Sequence, residues 1–116
     1  MDLQQFDAEL RARGGEADVW VVYVEDAAES VIRGAPALKP QRGFWTRGEA
    51  YAFAYAAHEH RRWQHYHVFR VTADIEWLQT GDARTGEFDA TFGRPRELTN
   101  VFVAPTEVAA LMEAAR

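Results

Sequence analysis

The chain contains no cysteine, so disulfides, thiolate zinc sites and thiol nucleophiles are excluded at the outset. Its only serine, Ser30, does not sit in a nucleophile elbow, which removes serine-hydrolase chemistry. No glycine-rich phosphate loop follows a strand-like run, which removes P-loop chemistry. No stretch approaches the roughly 18 apolar residues that a membrane-spanning helix needs. The opening MDLQQFDAEL is acidic and amphipathic, unlike a signal peptide. A soluble, cytoplasmic protein is expected. Carboxylates are plentiful, yet nothing in their spacing pairs two of them as acid and base.

What is present suits a small folded unit. The 116 residues, 47% hydrophobic and 13% aromatic, can build one core without staples, so residues 1–116 are read as a single domain. The net charge of −5 is unevenly spread. Residues 1–30 carry a balance of −6, residues 31–72 a balance of +5 with all four histidines, and residues 73–116 a balance of −4. Overall acidity argues against nonspecific nucleic-acid binding, which needs a basic field. The basic middle has room for a phosphate or an acidic partner locally.

Periodicity and capping signals divide the chain. Leu3, Phe6 and Leu10 follow helical spacing and Gly14-Gly15 stops them, which predicts an accessory N-terminal helix over 1–15. DVWVVYVE reads as a buried strand. Asp26 with Glu29 starts a short helix, AAESVIR, that Gly34 ends. Gly43, Phe44 and Trp45 suit a short strand, and Thr46 with Glu49 is a capping box that starts a helix at Arg47. On that helix Ala50, Phe53, Ala54 and Ala57 share one face, and Tyr51, Tyr55, His58 and Arg62 the neighbouring one. HYHVFRVTA alternates as a strand. Residues 79–96, with Gly81, Gly86, Gly93 and Pro95, read as a long loop. LTNVFVA is a further strand, and Pro105 opens a terminal helix. The fold class is α+β: a small domain with a mostly antiparallel sheet flanked by helices.

The run VVYVEDAAESVIRGAPALKPQRGFWTRGEAYAFAYA, followed by YHVFRVTAD, resembles the ADP-ribosyltransferase-like fold over roughly residues 19–110. Ala37-Leu38-Lys39-Pro40 stands where that family has a turn after its first helix, and Gly43-Phe44-Trp45-Thr46 where it has a glycine-aromatic strand. The resemblance implies an aromatic stacked on nicotinamide, one of Tyr51, Tyr55 and Trp45, and a strand-end glutamate, for which Glu97 is the nearest candidate. Such a carboxylate would hold the ribose and steady an oxocarbenium-like transition state. One departure stands out. Members that cleave NAD hold the ribose or phosphate with a first-strand His or Arg, whereas this chain has Tyr23-Val24-Glu25-Asp26.

Each candidate has a plainer reading. Glu97 is equally a solvated flank near Arg94 and Arg96, and Tyr51 with Tyr55 equally a packing pair. Trp45 is equally a staple for the helix that follows. His65 and His67 alternate to one side of a strand and are spaced to chelate a divalent ion. His58 and His60 lie about 200° apart around a helix. No third ligand is identifiable, so no metal site is assigned, and His65 and His67 are read as a pair of half-buried, hydrogen-bonded histidines. Two functional expectations remain. The first is a small protein-binding domain of inhibitor, immunity or regulatory type, with one protein partner and no cofactor, on a degenerate transferase-like scaffold. The second is an active NAD-dependent ADP-ribosyltransferase using Glu97, with Arg42 or Arg47 in place of the missing donor.

Overall fold

The computed structural model describes residues 1–94, 97, 98 and 100–115. Chain order runs α1 (Leu3–Ala12), β1 (Glu16–Glu25), α2 (Ala27–Arg33), β2 (Leu38–Phe44), α3 (Arg47–His60), β3 (Tyr66–Asp74), α4 (Ile75–Thr80), β4 (Arg84–Phe92), β5 (Val101–Val103) and α5 (Pro105–Ala114). All strand pairings are antiparallel and the sheet order is β2-β1-β3-β4-β5. The fold is α+β.

Strand alternation splits the apolar residues between two faces. From β1, Val19, Val21 and Tyr23 join Phe69, Val71 and Ala73 of β3 in the larger cluster, which α1, α4 and α5 cover. Val22 joins Tyr66 and Val68 on the opposite face, where Ala50 and Ala54 of α3 lie against the sheet. The small alanines predicted to face the sheet therefore do so, and Thr46 caps the helix as its spacing requires. The Glu49 amide donates to Thr46 Oγ1 at 3.3 Å. The Thr46 hydroxyl in turn donates to the Glu49 carboxylate at 2.7 Å.

The structure corrects three expectations. The N-terminal helix is not accessory, because Phe6 and Leu10 of α1 are fully buried within the larger cluster. One turn of spacing between two large apolar residues is enough to dock a helix whose other faces are charged. Residues 84–92 are not loop but β4, paired with β3 from Tyr66↔Phe92 to Arg70↔Glu87. Gly86 reads as a turn in sequence. In the fold it permits close strand packing, since a Cβ there would meet Phe69 Cβ at 3.3 Å. Between β3 and β4 lies α4, which the sequence reading missed; the Asp74 carboxylate accepts from the Trp77 amide to start it, and Gly81 in the left-handed region ends it.

Gly43 also has a local cause. A Cβ at this position would lie 2.9 Å from Met112 Sδ and 3.4 Å from Leu111 Cβ, so a bare β2 there lets α5 pack across it without displacing Met112. Packing alone accounts for the glycine that opens Gly43-Phe44-Trp45-Thr46.

Candidate functional site

Tyr23 lies near the end of β1, where the β1–β2 register shifts between Val22 and Tyr23 and Tyr23 faces Pro40. Alternation turns its ring into the larger cluster, edge-on to Phe69 with centroids 5.3 Å apart. The residue is 1% exposed, yet among the described residues its hydroxyl has no hydrogen-bond partner. Burial, and secondly the Glu107 carboxylate, push the phenol well above the ordinary tyrosine range. It therefore stays neutral, able both to donate and to accept.

Above the ring is an open cleft of about 360 Å³. The outermost strands of the sheet, β2 and β5, both contribute to it. Leu38 and Pro40 form one wall and Val101 and Phe102 the other, with Asn100, Arg33 and Glu107 supplying polar groups at the rim. The exposed lining of the cleft is thus more polar than apolar, and the Tyr23 hydroxyl, which has no partner among the described residues, is itself buried.

The helix beside this cleft is held in an unusual way. No residue of α2 is buried. It is fastened by a polar clasp instead: the Asp26 amide donates to the Ala37 carbonyl at 2.9 Å, and the Ala37 amide donates to Ser30 Oγ at 3.0 Å. Ser30 Oγ donates in turn to the Asp26 carbonyl at 2.7 Å. The sole serine of the chain is therefore structural. Outside the clasp, Val31 is 83% and Ile32 79% exposed, and Phe102 across the cleft is 65% exposed.

The residues singled out from sequence occupy different places. Trp45 lies against the larger cluster, 5.4 Å from the Phe6 ring and with the Arg13 guanidinium 4.3 Å from its centroid. It fastens α1, and its cluster is not the one that holds Ala50, so it is not a staple for α3. On the opposite face, the Tyr51 hydroxyl donates to Asp89 Oδ2 at 2.9 Å and its ring meets Phe92 edge-on. Burial, and then the bond to Asp89, raise its pKa. Asp89 also receives Arg47 Nε at 3.2 Å. Tyr55 is 58% exposed. Glu97 is exposed and outside any strand, ahead of β5. Arg42 sits over the Phe53 ring at 5.1 Å. None of these residues lines the Tyr23 cleft.

The histidines separate in a similar way. His67 is fully buried, with Nδ1 2.9 Å from Thr91 Oγ1 and Nε2 3.8 Å from Glu25 Oε1. His58 Nδ1 lies 2.9 Å from the Gln64 carbonyl, and His60 is exposed. Among the described residues, no group of three or more His, Asp or Glu side chains is placed to hold a metal ion. No helix among them is long and apolar enough to cross a membrane.

Sequence reasoning missed the Tyr23 cleft and the exposed face of α2. Tyr23 was legible as a buried strand residue, but that its hydroxyl has no partner among the described residues depends on which strands end beside it. The α2 signal was present in sequence as a capped seven-residue helix with two adjacent aliphatics and only alanines one turn away. Comparison with family models, with curated proteins and with solved structures finds no match to this chain.

Proposed function

We propose that the chain is a small protein-binding domain of inhibitor, immunity or regulatory type, whose partner covers α2 and seats a segment with hydrogen-bonding groups in the Tyr23 cleft. The observation that carries this reading is α2: a helix held by a polar clasp that leaves Val31 and Ile32 exposed and whose Arg33 lines the cleft. Isolated exposed aliphatics are ordinary, but two adjacent ones at 83% and 79% exposure on a helix whose next residue, Arg33, lines a cleft are of the kind that partners cover. Burying a valine or isoleucine side chain contributes about 1.5–3 kcal/mol, enough for two such residues to anchor an interface. A buried phenol with no partner among the described residues adds specificity, because a segment supplying the missing hydrogen bond is favoured over one that does not.

In this reading the scaffold is a degenerate ADP-ribosyltransferase-like one in the cytoplasm. Val24, Glu25 and Asp26 stand where a ribose or phosphate donor would be. Trp45, Tyr51, Tyr55 and Glu97 are divided between two faces of the sheet and an exposed segment, which favours binding over NAD chemistry with Glu97. The absence of cysteine suits a reducing compartment.

The test compares two baits in extract from the native source. Wild-type protein should retain one stoichiometric partner, and Val31→Asp/Ile32→Asp should lose it. Neither side chain is buried, so the variant keeps its fold, which circular dichroism verifies. Equal retention by both baits would overturn the proposal.

A further inference from the structure

A second site lies where α3 ends, β3 begins and β4 ends. A cavity of about 570 Å³ is lined by His58, Arg62, Trp63, His65, Gly93 and Arg94. Among the described residues no carboxylate lines it. Arg94 is exposed and makes no ion pair among the described residues, whereas Arg62 Nη2 is held by Glu59 Oε2 at 2.5 Å. His58 is oriented, because the Gln64 carbonyl can only accept, so Nδ1 carries the proton of that bond and Nε2 is left for a ligand. Trp63 is 78% exposed, on a turn closed by the Gln64 amide donating to the Arg61 carbonyl at 3.0 Å. Gly93 has φ +126°, and a Cβ there would lie 2.6 Å from His65 Cδ2. Glycine thus lets the end of β4 close against the imidazole.

These groups share one ligand chemistry. Two guanidiniums form donor forks that match phosphate oxygens, and charge-assisted bonds of this kind are the strong ones. A free indole face suits a planar base, with which stacking is favourable whatever the base. The volume lies within the usual range for small-molecule sites. We propose that this cavity binds a nucleoside monophosphate, with the phosphate between Arg62 and Arg94 and the base on Trp63. The same chemistry exists at the phosphorylated end of a single strand. The net charge of −5 disfavours a long polyanion and favours the free nucleotide.

Isothermal titration of the full chain tests this with AMP, adenosine, inorganic phosphate and a 5′-phosphorylated tetranucleotide. AMP should bind at least about tenfold more tightly than adenosine or phosphate alone, since only AMP uses both halves of the site. Arg94→Ala and Trp63→Ala should each weaken AMP by about tenfold or more. Both residues are exposed, so folding is preserved, and Arg33→Ala at the Tyr23 cleft should leave AMP binding unchanged. AMP no tighter than its parts, or insensitive to both substitutions, would overturn the proposal. So would a tetranucleotide that binds more tightly than AMP through the same two residues.

Discussion

Replacing Tyr23 with phenylalanine should stabilise the free chain and weaken its complex. The substitution keeps the ring, its burial and its edge-on contact with Phe69 at 5.3 Å, and removes only a hydroxyl that lacks a partner among the described residues. An unsatisfied buried polar group costs about 1–3 kcal/mol, so Tyr23→Phe should raise the unfolding free energy by up to about that amount. In a domain of this size 1 kcal/mol corresponds to a rise of roughly 4 °C in melting temperature. Urea denaturation followed by far-UV circular dichroism should show a higher midpoint at an unchanged slope, the sign of altered stability rather than altered compactness. Affinity for the partner should move the opposite way, because the bound segment then loses its bond to the phenol. A Tyr23→Phe variant less stable than wild type by 1 kcal/mol or more would refute the reasoning, since the hydroxyl would then be satisfied in the free protein.

Three further outcomes are expected. The raised pKa of Tyr23 means the unfolded chain loses this proton first, near pH 10. Wild type should therefore keep a constant stability difference from Tyr23→Phe below about pH 10 and lose stability relative to it as pH rises further, which paired denaturation curves across that range would check. Thr46→Ala leaves the Glu49 amide without its cap and should cost about 1 kcal/mol; an unchanged denaturation midpoint would contradict this. Millimolar NAD should neither raise the melting temperature, as a cleft-bound ligand near 100 Kd would by roughly 2.7 kcal/mol of stabilisation, nor release nicotinamide above background. A shift abolished by Glu97→Gln or Tyr55→Ala would restore the transferase reading, whereas one abolished only by Arg94→Ala would arise at the Trp63 cavity.

The capped helices were the most legible part of the sequence. Asp26, Thr46, Gly34 and Pro105 mark boundaries through local chemistry, and the fold places α2, α3 and α5 where those residues indicate. β4 was hidden because its glycine serves strand packing and one face of the strand is solvated, so neither alternation nor apolar content stands out. α1 was underestimated because its core contribution rests on Phe6 and Leu10 among charged neighbours. The cleft was invisible for a different reason. Leu38 and Phe102 are 64 positions apart in the chain and line one cavity only because the first and last strands of the sheet order approach each other. The stacking aromatics were chosen by motif spacing, and tertiary packing used Trp45 and Tyr51 for structure instead.

The central claim is that a partner covers α2 and fills the Tyr23 cleft, and amide hydrogen exchange of the recovered complex against the free chain tests it most directly. α2 is fastened by a few polar bonds with no buried side chain, so its amides should exchange readily in the free chain. In the complex, slowed exchange is predicted across 27–33 and 101–103, with little change in α3. Protection confined to α3 and residues 58–65, with α2 exchanging as in the free chain, would contradict it.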